Sequence, residues 1–292
     1  MAEPSLAAAQ VHLPFPAERY LAYLTADQIA SLDKEKAAVV VVIGAIEQHG
    51  PHLPVATDLA LGVSLLTLAI KRLDPATHLW VLPPLAYGRS VEHEDFAGTI
   101  TLSQETLTAV VLDLAASVKR SGFRRLVLFN SHGGNVSVLE TVARDARRAT
   151  GLMVFPFSMF RLGTVLPQPY SDDEARLGTH AGEWETSMML ALTPELVDVA
   201  KAKATTGYAS FADAPEHVAL LGPIPFTWVT SDISATGAIG DPSLASAERG
   251  REIVELSVEK IARTLEEICS FEMPTPAGAP GPARLPDKEP AE

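Results

Sequence analysis

The chain is short of several things, and each shortage excludes a class of protein. It has one cysteine, Cys269. No intramolecular disulfide can form, so a reducing, cytoplasmic setting is expected. Basic charge is scarce: 23 Lys and Arg stand against 36 Asp and Glu, a net charge of −13 at pH 7. Such a surface has no field for phosphate, which argues against nucleic acid and anionic membrane as partners. No apolar run reaches spanning length; Ala37–Ile46 is about half of what a bilayer needs. Met1–Arg19 lacks a charged region followed by an apolar core, so no secretory signal is read there. Familiar catalytic signatures are missing too. There is no Gly-x-Ser-x-Gly elbow, no His-Glu-x-x-His, no Walker loop and no Gly-x-Gly-x-x-Gly. Serine hydrolases of the α/β type, zincins and the commonest nucleotide folds are thereby disfavoured.

What is present is a sizeable core. Hydrophobic residues make up 47% of the 292, and charged residues 20%, a globular composition. Apolar runs at Ala38–Gly44, His78–Leu85, Arg125–Phe129 and Leu152–Phe157 read as buried strands. Helical spacing separates them, over Asp58–Leu73, Ser103–Arg120 and Val136–Thr150. A further helix is expected over Thr25–Lys36, with Thr25 as cap, before the first strand. Strand and helix alternating in units of about 30 residues predict a mostly parallel sheet covered on both faces. Glu183–Leu192 and Ser243–Ser270 also read as helices, and Arg161–Thr179 as a loop able to cover a site. Residues 1–272 are read as one domain. Residues 273–292, rich in Pro, Ala and Gly, are read as a disordered tail, and roughly the first 20 residues as a peripheral arm. No internal repeat is found.

The chemistry concentrates where strands end. Directly after the first strand comes Glu47-Gln48-His49-Gly50-Pro51-His52-Leu53-Pro54, with Thr57-Asp58 behind it. Glu47 and His49 alternate, so an extended backbone points both into one pocket. Asp58 alone reads as a helix-capping acid; in the cluster it completes a carboxylate and imidazole set that suits zinc, manganese or iron. After the third strand stands Asn130-Ser131-His132-Gly133-Gly134-Asn135, which can aim His132 into the same cleft. The paired glycines permit close backbone approach to a ligand, or alternatively a phosphate cradle, although no lysine accompanies them. His180-Ala181-Gly182-Glu183-Trp184-Glu185 opens a later helix. Glu183 and Glu185 do not share a helical face, so at most one is expected as a ligand. Glu183 is taken as the ligand and Glu185 as an ordinary acid of a helix start. Ser90-Val91-Glu92-His93 offers a further wall, or merely an acidic loop. Glu47, His49, Asp58, His132 and Glu183 are more ligands than one catalytic zinc takes, and suit two metals sharing a carboxylate.

Taken together, these motifs resemble the creatininase family of metal-dependent amidohydrolases. The match rests on Gly44–Pro54 with Thr57-Asp58, Ser131–Asn135, and His180–Glu183 with Glu185-Thr186, and runs from about Lys36 to Leu192. The resemblance implies a three-layer α/β/α sandwich and two divalent ions. Glu47, Asp58 and His132 would hold one, and His49, Asp58 and Glu183 the other. It implies His180 as the proton-transfer residue, Glu47 beside it, and Gly133, Gly134 and His93 as substrate contacts. Its expected activity is cleavage of a small amide C–N bond, linear, formyl or cyclic, by a hydroxide that the metals activate. The partner is then a small molecule, and the assembly a homo-oligomer, a hexamer in much of the family. Peptide-trimming and ring-opening hydrolases share the pattern, and a non-catalytic ligand-binding relative is the alternative of another class. Two departures disfavour creatinine itself. Gly134 stands where creatinine-hydrolysing members carry Glu, and Met153–Thr179 contains no Trp.

Overall fold

The computed structural model describes residues 15–164, 171–204, 217–218, 224 and 226–274. Four strands, β1 (Ala38–Ile43), β2 (Leu79–Val81), β3 (Arg125–Asn130) and β4 (Met153–Ser158), form a sheet in the order β2-β1-β3-β4. Every pairing is parallel. The chain steps one way from β1 to β2 and the other way from β2 to β3 and on to β4. Right-handed crossovers then put the first connecting helix on one face and the next two on the other.

The side chains obey this. Val40, Val42, Val127 and Phe129 pack with α2 (Thr57–Ile70), α6 (Glu183–Leu192) and α8 (Ala247–Ser270). Val39, Val41, Ile43, Leu126 and Leu128 pack with α3 (Gln104–Arg120) and α4 (Val136–Thr150). A period of two along buried strands thus feeds two separate cores, giving the expected three-layer sandwich. Three short helices complete the set: α1 (Ala26–Ser31), α5 (Asp172–Leu177) and α7 (Thr230–Ile233). Thr25, Ser103 and Ser246 cap α1, α3 and α8 through their hydroxyls.

Some boundaries differ from the sequence reading. β2 ends at Val81, because Pro83 and Pro84 supply no ladder donors. Beyond Val81, Leu82 still donates to the Val40 carbonyl, and Leu85 bridges back to Ile43. The peripheral arm is partly an edge cover: Phe15, Tyr20 and Leu21 are buried, and Tyr20 bridges Val81 on the outer side of β2. Of the expected tail, 273–292, all but residues 273 and 274 lies outside the described residues.

Helices α6 and α8 touch through Gly250. A Cβ there would stand 1.8 Å from the Ser187 carbonyl oxygen, a backbone atom that no rotamer can move. Gly250→Ala is therefore expected to part the helices and cost about 1–3 kcal/mol, read as a lower urea midpoint. An unchanged midpoint would show that the contact is not tight.

Candidate metal and catalytic site

The strand order reverses at β1, so the crevice above β1 and β3 is the place where open parallel sheets bind ligands. Glu47 and His49 leave β1 there, and His132 leaves β3. Asp58 enters from the first turn of α2, and Glu185 from the first turn of α6. All five are at least 94% buried, as are His93 and His180. His180 is held by an antiparallel bridge to Ile239, then a turn through Ala181, whose φ of +52° is strained for a side-chain-bearing residue. The Ala181 N–H donates to Glu185 Oε2 at 2.6 Å, so that turn also orients the acid.

The groups face a common centre. His132 Nδ1 lies 3.1 Å from both Glu47 Oε2 and Asp58 Oδ2. His49 Nε2 lies 3.4 Å from Asp58 Oδ1 and 3.9 Å from Glu185 Oε2. Two triads suited to a cation result, Glu47/Asp58/His132 and His49/Asp58/Glu185, with Asp58 in both. Glu47, His49 and His180 form a third. Glu47 Oε2, His49 Nε2 and Asp58 Oδ2 are buried without a hydrogen-bond partner. Orphaned carboxylate and imidazole atoms, mutually aimed, are the donor set that divalent transition metals take.

Outer contacts decide which ring nitrogen faces inward. His49 Nδ1–H donates to the Glu47 carbonyl at 3.1 Å, and His132 Nε2–H to the Arg89 carbonyl at 2.9 Å. Each leaves its other nitrogen toward the acids, as metal-ligating histidines do. His180 Nε2–H donates to the Gln48 carbonyl at 2.7 Å, leaving Nδ1 facing Glu47 Oε1 at 3.6 Å. The Gln48 amide is oriented by the Gly50 N–H at its oxygen and the Gly237 carbonyl at its nitrogen. Its nitrogen therefore donates to His93 Nδ1 at 2.8 Å, which leaves the His93 proton on Nε2, 3.4 Å from Glu47 Oε1.

Charge follows from these neighbours. Burial pushes the His49 imidazole down, but Asp58, Glu185 and Glu47 outweigh it and hold its pKa at about 9. Burial opposes His132 as well, and Glu47 and Asp58 raise it well above the ordinary value. His180 goes the other way: burial, then His49 and His93, push it well below the ordinary value. Burial is also the main cause that lowers His93 to about 4 and raises Glu185.

Four of the five expected ligands, Glu47, His49, Asp58 and His132, meet at this centre. Glu183 does not. It is fully buried, but its carboxylate pairs with Arg249 of α8 and accepts the Ser171 N–H at 3.0 Å. Two residues along a helix turn about 200°, so Glu185, read as an ordinary helix-start acid, takes the place instead. Gly134 explains why an acid is needed from α6. A Cβ there would sit 2.2 Å from Glu92 Oε1 and 2.5 Å from His132 Nε2, so the turn has no room for a carboxylate. Gly133, Gly134 and His93 line a cavity of about 510 Å³ beside the centre, with Glu92, Phe160 and Trp228. The roles of Gln48 and Thr230, which both contact His93 Nδ1, went unread. Nothing in a lone sequence marks them, since their partners are 45 and 137 residues away.

The family model for creatininase, creatinine amidohydrolase, matches residues 22–265. The chain is 34% identical over 238 residues to a mycofactocin precursor peptide peptidase of Mycobacterium ulcerans, covering 77% of this chain and 85% of that one. It is 31% identical to a creatinine amidohydrolase of Pseudomonas putida, covering 77% and 87%. The solved structure "Creatininase Mn" superposes with a TM-score of 0.69 at 28% identity, over 85% of this chain and 98% of its own.

A ligand must be deprotonated to bind metal. With His49 protonated up to about pH 9, zinc uptake at pH 7 is expected to release at least one proton. Affinity should then weaken as pH falls below 9. Calorimetry in two buffers of different ionisation enthalpy reads the proton count; a count of zero would contradict the assignment of His49.

Proposed function

This chain belongs to the creatininase family of hydrolases, and on that premise we propose that it cleaves the C–N bond of a small amide with two divalent ions, zinc, manganese or iron. The observation that carries the reading is the pair of buried triads sharing Asp58, with inward atoms that lack partners. Glu47, Asp58 and His132 would hold one ion, and His49, Asp58 and Glu185 the other. Ions so held supply Lewis-acid polarisation of a carbonyl and a nucleophilic water at neutral pH.

The protein's own groups do the rest. His93 lines the cavity with its proton on Nε2, 3.4 Å from Glu47 Oε1, in a tautomer fixed by Gln48. It is placed to donate to the substrate carbonyl oxygen as negative charge develops there. His180 is kept neutral by burial and by its imidazole neighbours, whose ring centroids lie 4.2 and 4.1 Å away. Nδ1 can therefore accept a proton and return it to the leaving nitrogen. Gly133 and Gly134 bring backbone to the cavity wall without side-chain bulk.

Peptide trimming is the second reading. It is favoured by the peptide peptidase among the relatives and by a cavity of about 510 Å³, roomy for a small ring and in the range of ligand pockets for larger molecules. Among the described residues no helix is long and apolar enough to cross a membrane. Burial pushes the Cys269 thiol up to about 11, so it is inert, and the reading places the protein in the cytoplasm. Exposed apolar residues such as Val55, Ile100 and Val199 support a homo-oligomer, the hexamer of the resemblance.

Elemental analysis of the purified chain is expected to find about two metal equivalents. Glu185→Gln should lose about one of them, whereas Glu183→Gln should keep both and be merely less stable. The reverse pattern would return Glu183 to the site. His180→Ala should keep both metals and lose about 10²–10⁴-fold in turnover. Loss of metal in that variant would make His180 a ligand rather than a proton carrier.

A further inference from the structure

One cationic residue at the cavity is unused by the reaction above. Arg89 follows β2, is half-buried, and lines the same cavity as Glu47, His93 and His132. Its backbone is fixed at both ends. The N–H donates to Asn135 Oδ1 at 2.8 Å, and the carbonyl accepts from His132 Nε2 at 2.9 Å. Its guanidinium donates to no described residue; Glu92 and Glu105 act on it only through space.

Among the described residues lining the cavity, Arg89 is the one fixed cation, against the carboxylates of Glu47, Asp58, Glu92 and Glu185. The two divalent ions of the proposed function would be held by Glu47, Asp58 and Glu185, which leaves Glu92 as the described cavity acid that acts on Arg89, through space and without a hydrogen bond. The guanidinium N–H groups would then remain for a ligand, on an anchored backbone. A guanidinium binds a carboxylate through two parallel N–H···O bonds, a geometry no neutral ring can complete. Phe160, Phe226 and Trp228 line the same cavity and provide planar apolar surface.

We infer that Arg89 is a specificity-determining residue that grips a free carboxylate on the substrate. The favoured substrate class is then an amide of an amino acid or peptide end, with its α-carboxylate on Arg89 and an aromatic or apolar side chain against Phe160, Phe226 and Trp228. The inference rests on the proposed function for its metals, but its test does not need turnover.

The test is calorimetric binding of N-acetyl-L-phenylalanine and of N-acetyl-L-phenylalaninamide to the metal-loaded full chain, in wild type, Arg89→Ala and Arg89→Gln. Any preference for the acid that comes from the metals is common to all three and cancels in the ratio of ratios. Wild type should prefer the acid, and that preference should fall by about tenfold or more in both variants, as loss of one charge-assisted pair implies. Arg89→Gln guards against a fold defect, and its melting curve is checked beside wild type. An equal acid-to-amide ratio in wild type and either folded variant would overturn the inference, as would failure of the wild type to bind the acid. An Arg89-dependent preference without hydrolysis of any amide would sink the hydrolase reading and leave the carboxylate site standing. Hydrolysis without that preference would do the opposite.

Discussion

Everything around the site follows from putting Glu47, Asp58 and Glu185 together out of water. Burying one carboxylate is costly, and burying three in mutual repulsion more so. The cost is tolerable only where positive charge is supplied on the spot. His49 and His132 supply part of it, each aimed at two acids. Helix starts supply another part, because Asp58 and Glu185 stand in the first turns of α2 and α6, at the positive ends of those helices. Divalent ions would supply the remainder, and the orphaned inward atoms are their natural partners.

Such a cluster demands that several strand ends be held in register, and buried amides do this. Asn135 donates to the carbonyl of Gly44 after β1 and to Asn130 Oδ1 at the end of β3, and accepts from Arg89 N–H after β2. Gln48 joins the loop after β1 to His93 and to Gly237. These are fully made networks in a low-dielectric interior, where partial satisfaction would be expensive. The cleft is therefore built rigid from three directions before any ligand arrives.

Much of this is legible in the sequence because its periodicities are clean. Period two in β1 and β3 sorts Val40 and Val42 from Val39 and Val41, and predicts two cores. Glu47, His49 and His132 are legible for the same reason: they sit at fixed offsets from buried strands. Glu183 and Glu185 are not. Both faces of α6 are buried, Glu183 against Arg249 and Glu185 against His49. No polar or apolar stripe tells the two apart. Gln48, Thr230 and Asn135 act through contacts distant along the chain, which a local pattern does not encode.

The exchange of an acid at 134 for Glu185 has a structural consequence. Glu92 and the Arg89 carbonyl fill the space beside Gly134, so the β3 turn is closed to a ligand. Glu185, the α6 acid of the candidate site, stands on an element tied to residues before it in the chain. Glu174 of α5 accepts the Trp184 N–H at 3.0 Å, and Glu183 accepts the Ser171 N–H at 3.0 Å. Phe160, on the cavity wall, stacks on Trp184 at a centroid distance of 5.8 Å. The residues that shape the cavity and Glu185 of the candidate metal centre therefore share one mechanical support. A change at Phe160, Ser171 or Glu174 that suits a different substrate would be felt at Glu185 through α6. In a site whose acid comes from the β3 turn, those two properties can vary independently; here they are joined.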